Sequence, residues 1–367
     1  MNRHLDNTDY KLLFVFVVML LFGLIMVYSS SSVIAYDRYG DSGYFFKKQI
    51  MWAVIGIIFG IILFKTGPEK IKPYATAALA VSIVMIYAVH FPGLGNTAGG
   101  ATRWLTLGAL PAFQPFEIAK LVYVVWLAYV FSDENLEDQK KIIRAAGFTA
   151  VLCAGLILQR DFGGMAIISA LFIVMLFISG ISVKFLLISI PAFLGIFTWL
   201  IVSQPYRLKR IFVYLDPWKD YFGAGWQSAQ SLTAIGSGGI FGLGISHSQQ
   251  KFLYLPTPHT DYIFSIIGEE TGIIGAFFIL AAFFVILWRG FAIAHAASDR
   301  FLKFLACSVT MMFIIQAFVN IGVATSLLPP KGTTLPFISA GGSSLVVSIC
   351  AAAILLSAAK RVFGERR

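Results

Sequence analysis

Long unbroken apolar runs are the feature that most constrains the fold of this chain. Crossing the hydrocarbon core of a bilayer takes roughly 20 helical residues. In lipid every backbone polar group must be paired within the protein, so a spanning segment is a helix or part of a closed barrel. A barrel would show short segments of alternating hydrophobicity, and these runs do not alternate. The predicted spans are 12–34, 49–64, 74–90, 115–132, 144–159, 164–180, 183–202, 262–287, 302–327 and 344–359.

Composition supports this interpretation. Hydrophobic residues make up 58% of the 367 residues and charged residues only 13%, whereas a soluble domain carries about 25% charged residues. A chain this apolar cannot cover its surface with polar groups. We therefore predict an all-α polytopic membrane protein with about ten transmembrane helices, forming a single domain over residues 1–367.

The distribution of positive charge predicts the orientation of the spans. The formal net charge is +10, but the basic residues lie in short loops, which indicates topology rather than nucleic-acid binding. With a cytoplasmic N-terminus, 16 Lys and Arg residues lie inside and 11 outside, five of these in one long loop that counts little. An even number of spans returns the C-terminus to the cytoplasm.

Three predicted extracytoplasmic loops are candidates for function. They cover residues 90–114, 203–261 (a large loop between helices 7 and 8) and 328–343, the last being dense in Pro, Gly and Ser. Long loops in compact proteins usually carry function or structure of their own. We expect the functional site where the three loops meet.

Asp261 ends the longest of these loops, just before a span. An acid at a helix N-terminus has a simple structural role, since it caps the helix and complements its dipole. A catalytic role is the alternative. His259 lies two residues away and could share a proton, and two prolines, Pro256 and Pro258, stiffen the approach.

The remaining acids near the outer face are expected to be structural. Glu269 and Glu270 lie about 12–14 Å further along the same helix, and a buried ion pair or a helix-packing hydrogen bond is preferred for them. Glu117 and Lys120 are three apart and can pair on one helix face. Two further charged residues occupy the tight turn between spans and should pair with each other or with neighbouring helices: Arg160 and Asp161.

Several groups on the outer loops could bind an anion. Arg103 could contact the membrane interface beside Trp104 or bind phosphate. Lys331 could supply a second positive charge. A Gly-rich helix start exposes backbone N–H groups at a positive helix end, and this pattern occurs at the start of the last span: Gly341, Gly342, Ser343 and Ser344.

Seven motifs in order along the chain resemble the SEDS family (shape, elongation, division and sporulation; FtsW, RodA and SpoVE). The resemblance covers nearly the whole chain. The segments 254–256 and 330–332 are more similar to the FtsW branch, while Phe116 and Ala340 depart from the usual pattern. The motifs are Ala101–Trp104, Gln114–Lys120, Arg160–Gly163, Gln230–Gly239, Leu255–Asp261, Gly268–Glu270 and Lys331–Ser344.

The resemblance implies a peptidoglycan glycosyltransferase that polymerises lipid II at the outer face of the bacterial cytoplasmic membrane. It further implies a class B penicillin-binding protein as partner, with other division proteins at the septum. Asp261 matches the essential acid of the family and would act as general base. Arg103, Lys331, His259 and the Gly341–Ser344 helix start would bind substrate.

Two other functions fit parts of the sequence. A lipid II flippase would also have buried charges, but it predicts important acids near the bilayer midplane and inverted repeats, and no such repeat is visible. A scaffold without chemistry leaves the ordered polar motifs unexplained. A divalent cation, Mg²⁺ or Mn²⁺, could assist pyrophosphate departure, although the sequence contains no clear set of metal ligands.

Overall fold

Helices dominate the computed structural model, which describes residues 9–98, 101–106, 108, 111–134, 136–203, 208, 214–223, 225–252 and 255–364. Two short strands, β1 (Gly95–Ala98) and β2 (Ala101–Leu105), form an antiparallel hairpin. The helices are α1 (Tyr10–Tyr39), α2 (Tyr44–Thr66), α3 (Pro68–Ile71), α4 (Ala75–Ala88), α5 (Pro115–Ser132), α6 (Asp138–Leu158), α7 (Phe162–Ile178), α8 (Val183–Val202), α9 (Trp226–Ser237), α10 (Ile263–Ala296), α11 (Arg300–Ala324) and α12 (Gly342–Gly364).

Each of the ten predicted spans coincides with a helix in the described part of the chain, so the predicted fold class is confirmed. Eight helical segments there are long and apolar enough to cross a membrane, and two shorter apolar ones are Phe162–Ile178 and Val183–Trp199. The chain is therefore a multi-pass membrane protein. Tyr254 of the 254–256 motif, parts of the 90–114 and 203–261 loops, and the terminal charges at Arg3, Arg366 and Arg367 lie outside the described residues.

Ion pairs identify one end of the helix bundle. Asp9, the N-cap of α1, pairs with Arg289 near the end of α10 (2.7 Å), and Glu69 of α3 pairs with Arg361 near the end of α12 (3.6 Å). Because consecutive spans alternate in direction, the β-hairpin and the segments before α10 and α12 lie at the opposite end. The three loops predicted to be extracytoplasmic thus belong to one end of the bundle.

The centre of the bundle is formed by α5, α11 and α12. Of an apolar 18-residue stretch in each helix, 89% is buried in α12 but only 22% in α2. Helix α2 nevertheless packs closely on α12 through Gly56 and Gly60, a small-xxx-small spacing that lets helix backbones approach. A methyl group on Gly56 would lie 2.8 Å from Ile349 and 3.2 Å from the Cα of Val346.

Helix α10 is broken at Gly272, whose φ of 65° and ψ of −161° are non-helical. An inserted segment, residues 239–244, supplies the hydrogen bonds that the break removes. The N–H groups of Leu243 and Gly244 donate to the carbonyls of Glu269 and Glu270, before the break. The carbonyls of Gly239 and Ile240 accept from the N–H groups of Ile273 and Ile274, after the break. Irregular backbone at membrane depth is tolerated when it is satisfied by protein in this way.

We predict that Gly56→Leu lowers the free energy of unfolding by about 1–3 kcal/mol, because the larger side chain cannot fit between α2 and α12. Thermal unfolding in detergent micelles measures the effect. Gly147→Leu on α6 is the matched control, since nothing lies within 4 Å of a methyl group placed there. Equal unfolding temperatures for both variants would contradict the packing account.

Candidate active site at the loop end of the bundle

Asp261 lies two residues before the first residue of α10. The structure places the N-cap of this helix at Tyr262, which makes no side-chain cap hydrogen bond. Asp261 is therefore not the N-cap of α10, and the predicted capping role is not observed. The side chain of Asp261 lies instead against the loop that precedes α12.

Gly332 brings this loop into contact with the Asp261 carboxylate. A methyl group placed on Gly332 would lie 2.9 Å from Asp261 Oδ2, closer than real Cβ contacts. A side chain at this position would therefore have to displace the Asp261 carboxylate. Lys331, the preceding residue, is thereby brought close to Asp261.

Burial raises the pKa of Asp261 to about 6, and the positive charges of Lys331 and Arg103 oppose this rise. Burial also lowers the pKa of Lys331 to about 8; Asp161 acts against this, while Arg103 adds to it. A carboxylate with a pKa close to neutrality is suited to accept a proton. The arrangement thus combines a candidate base with an adjacent cation.

The Lys331 side chain crosses the turn between α6 and α7. A methyl group on Gly163, the second residue of α7, would overlap the Lys331 side chain. Asp161 caps α7 by accepting from the N–H of Gly164 (3.0 Å), and it attracts Lys331. The Arg103 guanidinium donates to the carbonyls of Gln159 (3.4 Å) and of the next residue, Arg160. Arg103 therefore holds this turn in place as well as adding positive charge.

The predicted pairing of Glu117 with Lys120 is confirmed. The two side chains are 2.7 Å apart and buried, and Lys120 also donates to Gln316 on α11. Gln316 in turn donates to the carbonyl (2.9 Å) and hydroxyl (3.0 Å) of Thr334. The sequence analysis missed Gln316 and its neighbour one turn later, Asn320. Two amides four residues apart in an apolar span were the available signal.

The predicted anion site at the start of α12 is partly occupied by protein contacts. The N–H of Gly341 donates to Gln49 (3.2 Å), and the hydroxyl of Ser343 accepts from the N–H of Gln114 (3.0 Å). The hydroxyls of Ser344 and Thr334 are 2.6 Å apart. Gly342 begins the helix with the ring of Trp52 so close that a methyl group would overlap it.

His259 lies beside α2 in this arrangement. Its ring is buried and packs against Phe45, with 4.6 Å between centroids, and its backbone carbonyl accepts from the N–H of Ala340 (2.8 Å). Burial, together with the charge of Arg38, lowers the pKa of His259 to about 4. His259 is therefore neutral at neutral pH and does not provide a cation.

Glu269 and Glu270 anchor the loop that follows the inserted segment, and the predicted buried ion pair is confirmed. Glu270 pairs with Lys251 (3.1 Å) and accepts from the hydroxyl of Ser29 of α1 (2.6 and 2.7 Å). Glu269 accepts from the N–H of Gln249 (2.8 Å). These acids fix the loop rather than face the site around Asp261.

The described residues do not provide a set of metal ligands. They contain no group of three or more His, Cys, Asp and Glu residues that could hold a metal ion. The charges nearest to Asp261 are those of Lys331 and Arg103, which would repel a divalent cation.

The sequence pattern of the FtsW/RodA/SpoVE family of cell cycle proteins matches residues 10–362. The chain belongs to this family. It is 38% identical to the probable peptidoglycan glycosyltransferase FtsW of Geobacter sp. (strain M18) over 368 residues, covering 99% of both chains. It is also 38% identical to the stage V sporulation protein E of Bacillus subtilis (strain 168) over 367 residues, covering 98% of this chain and 99% of the relative.

Two solved structures are similar in fold to this chain. One is a solved chain described under "Structural coordination of polymerization and crosslinking by a peptidoglycan synthase complex". Its TM-score is 0.80 at 25% sequence identity, and the match covers 97% of this chain and 99% of that chain. The other is the rod shape determining protein RodA of Thermus thermophilus, with a TM-score of 0.72, 23% identity and 97% of both chains covered. The second supports the fold alone.

We predict that Glu270→Gln destabilises the protein by about 3–5 kcal/mol, because it leaves Lys251 buried without its counter-charge. Unfolding temperatures in detergent report the loss, and adding Lys251→Met to Glu270→Gln should restore part of it. Lys47→Met, which breaks the exposed pair with Asp41, is the control and should stay near wild type. No recovery in the double variant would argue against the ion pair.

Proposed function

We propose that this protein is a peptidoglycan glycosyltransferase that polymerises lipid II, with Asp261 as its general base. The observation that carries the proposal is a buried carboxylate of raised pKa held beside Lys331 at one end of the bundle. Family membership supports the reaction class, since relatives that match the full length are named peptidoglycan glycosyltransferases. The whole chain acts as one transmembrane domain.

The reaction joins two lipid-linked sugars. A hydroxyl of the acceptor sugar attacks the anomeric carbon of the donor, and Asp261 accepts the proton of this hydroxyl as the new C–O bond forms. The bond from the anomeric carbon to the pyrophosphate oxygen breaks, and the polyprenyl pyrophosphate leaves with the electron pair. Attack opposite the leaving group inverts the sugar centre. General-base assistance contributes about 10²–10⁴-fold in rate.

Lys331 and Arg103 are proposed to bind the pyrophosphate. Both act electrostatically on Asp261, so they would stabilise a pyrophosphate placed between them as it gains one further negative charge on departure. The start of α12 at Gly342 is proposed to add the positive end of a helix dipole. The Gly341, Ser343 and Ser344 contacts described above would have to be exchanged for contacts with phosphate oxygens.

We place the protein in the bacterial cytoplasmic membrane, at the division septum, with the Asp261 end facing outward. A class B penicillin-binding protein is the proposed partner, supported by similarity to a chain from work on a peptidoglycan synthase complex. Other division proteins and a role in FtsW-type division rather than RodA-type elongation are part of this proposal. The broken helix α10 is similar to the discontinuous helices of transporters, but Glu269 and Glu270 beside the break are already satisfied by protein groups, which disfavours a flippase.

Asp261→Asn should abolish polymerisation while leaving the fold intact, because the amide cannot accept the proton. Polymer formed from labelled lipid II by purified protein, with and without a class B penicillin-binding protein, measures this. Glu137→Gln in the exposed pair with Lys140 is the control. Normal polymer yield from Asp261→Asn would contradict the general-base role. Protein-dependent movement of lipid II across vesicle membranes, without polymer formation, would favour the flippase.

The pH profile of kcat/KM should be bell-shaped. Activity should fall as the pH drops below about 6, where Asp261 becomes protonated, and as it rises above about 8, where Lys331 loses its charge. Lys331→Gln should remove the alkaline limb and raise the acid limb, because the lysine cation lowers the pKa of Asp261. An unchanged acid limb in Lys331→Gln would contradict the proximity of the two groups.

A further inference from the structure

The side chain of Asn320 joins two separate segments of the candidate active site. It is fully buried near the end of α11. Its Nδ2 group donates to the backbone carbonyl of Asp261 (3.0 Å) and to that of Thr333. A side-chain amide nitrogen carries two N–H donors. The neutral amide of Asn320 therefore links the segment before α10 to the loop before α12.

This link bears directly on the geometry of the candidate base. Thr333 follows Gly332, whose backbone lies against the Asp261 carboxylate, and Lys331 precedes Gly332. Neither segment is helical or sheet, so no backbone ladder fixes one relative to the other. A side chain anchored on α11, which is packed in the core, can fix the separation of Asp261 from residues 331–333.

Other contacts hold the neighbouring residues without involving Asn320. The hydroxyl of Ser339 donates to the carbonyl of Thr260 (2.6 Å), and the N–H of Ala340 donates to the carbonyl of His259 (2.8 Å). These contacts should keep the two segments together when Asn320 is replaced. The loss of Asn320 would then loosen Asp261 and Thr333 relative to each other while the neighbouring contacts remain.

We propose that Asn320 is a positioning residue that sets the placement of the Asp261 carboxylate relative to Lys331 without contacting substrate. This inference rests on the proposed transferase function. A displacement of about 1 Å at a reacting group can cost about 10²-fold in rate. The effect should therefore fall mainly on kcat, while KM for lipid II stays within about twofold because Lys331 and Arg103 remain to bind the pyrophosphate.

Two replacements of Asn320 should move the acid limb of the pH profile by different amounts. Asn320→Ala removes the link and admits water beside Asp261, so the limb should move below about 6, towards the ordinary range of a carboxyl group. Asn320→Asp occupies the same volume; because it is fully buried and faces two carbonyl oxygens, the new side chain stays protonated. Its single O–H can keep one of the two links, so the limb should move less than in Asn320→Ala. Lys331 and Arg103, the cations that act on Asp261, are present in both variants.

The test measures lipid II polymerisation by the full-length protein with its penicillin-binding partner, for Asn320→Ala, Asn320→Asp and a control. Ser308→Ala is the matched control, since Ser308 is also fully buried on α11 and donates to the carbonyl of Val124 on α5 (3.0 Å), away from the site. We expect about 10²-fold lower kcat and a limb moved below about 6 for Asn320→Ala, smaller changes of both for Asn320→Asp, and Ser308→Ala close to wild type in both properties.

Wild-type kcat and an unmoved limb in the Asn320 variants would overturn the inference. A loss of activity that matches the loss of folded protein, with the limb unmoved, would also overturn it. If the wild-type protein makes no polymer, the proposed function fails instead. The inference is then decided by infrared titration of the Asp261 carboxyl, identified by difference from Asp261→Asn, which must shift in Asn320→Ala for the inference to stand.

Discussion

A polar group inside a bilayer must find its partner within the protein, because lipid offers none. This constraint explains most of the polar contacts in the described part of the chain. Lys120 donates hydrogen bonds to both Glu117 and Gln316, and Lys251 forms an ion pair with Glu270. The same constraint explains why the break in α10 at Gly272 is filled by the inserted segment, whose backbone replaces the lost helical hydrogen bonds.

The groups around Asp261 follow a different pattern. Asp261 and Lys331 are both removed from water, and the pKa of each is displaced towards neutrality by burial. Nearby opposite charges favour the charged forms: Lys331 and Arg103 act on Asp261, and Asp161 acts on Lys331. The burial that outweighs this attraction instead leaves a base that can be protonated and a cation that can be lost within the working pH range, which suits proton transfer and anion binding.

Sequence patterns were sufficient for features set by local periodicity. The ten spans followed from apolar run length, and the Glu117–Lys120 pair followed from a spacing of three on one helix face. Contacts between distant segments could not be predicted in this way. Lys251 meets Glu270 through an irregular loop, and the close approach of Gly332 to Asp261 depends on tertiary packing. The helix cap at Tyr262 was missed because the helix starts at Ile263, one residue later than a cap at Asp261 would give.

The most direct test of the account is a structure of the protein with bound lipid II and a growing glycan acceptor. The account predicts an acceptor hydroxyl about 2.6–3.2 Å from the Asp261 carboxylate and the pyrophosphate between Lys331 and Arg103. Substrate bound with its pyrophosphate midway along the helices, or at the Asp9–Arg289 end of the bundle, would contradict it.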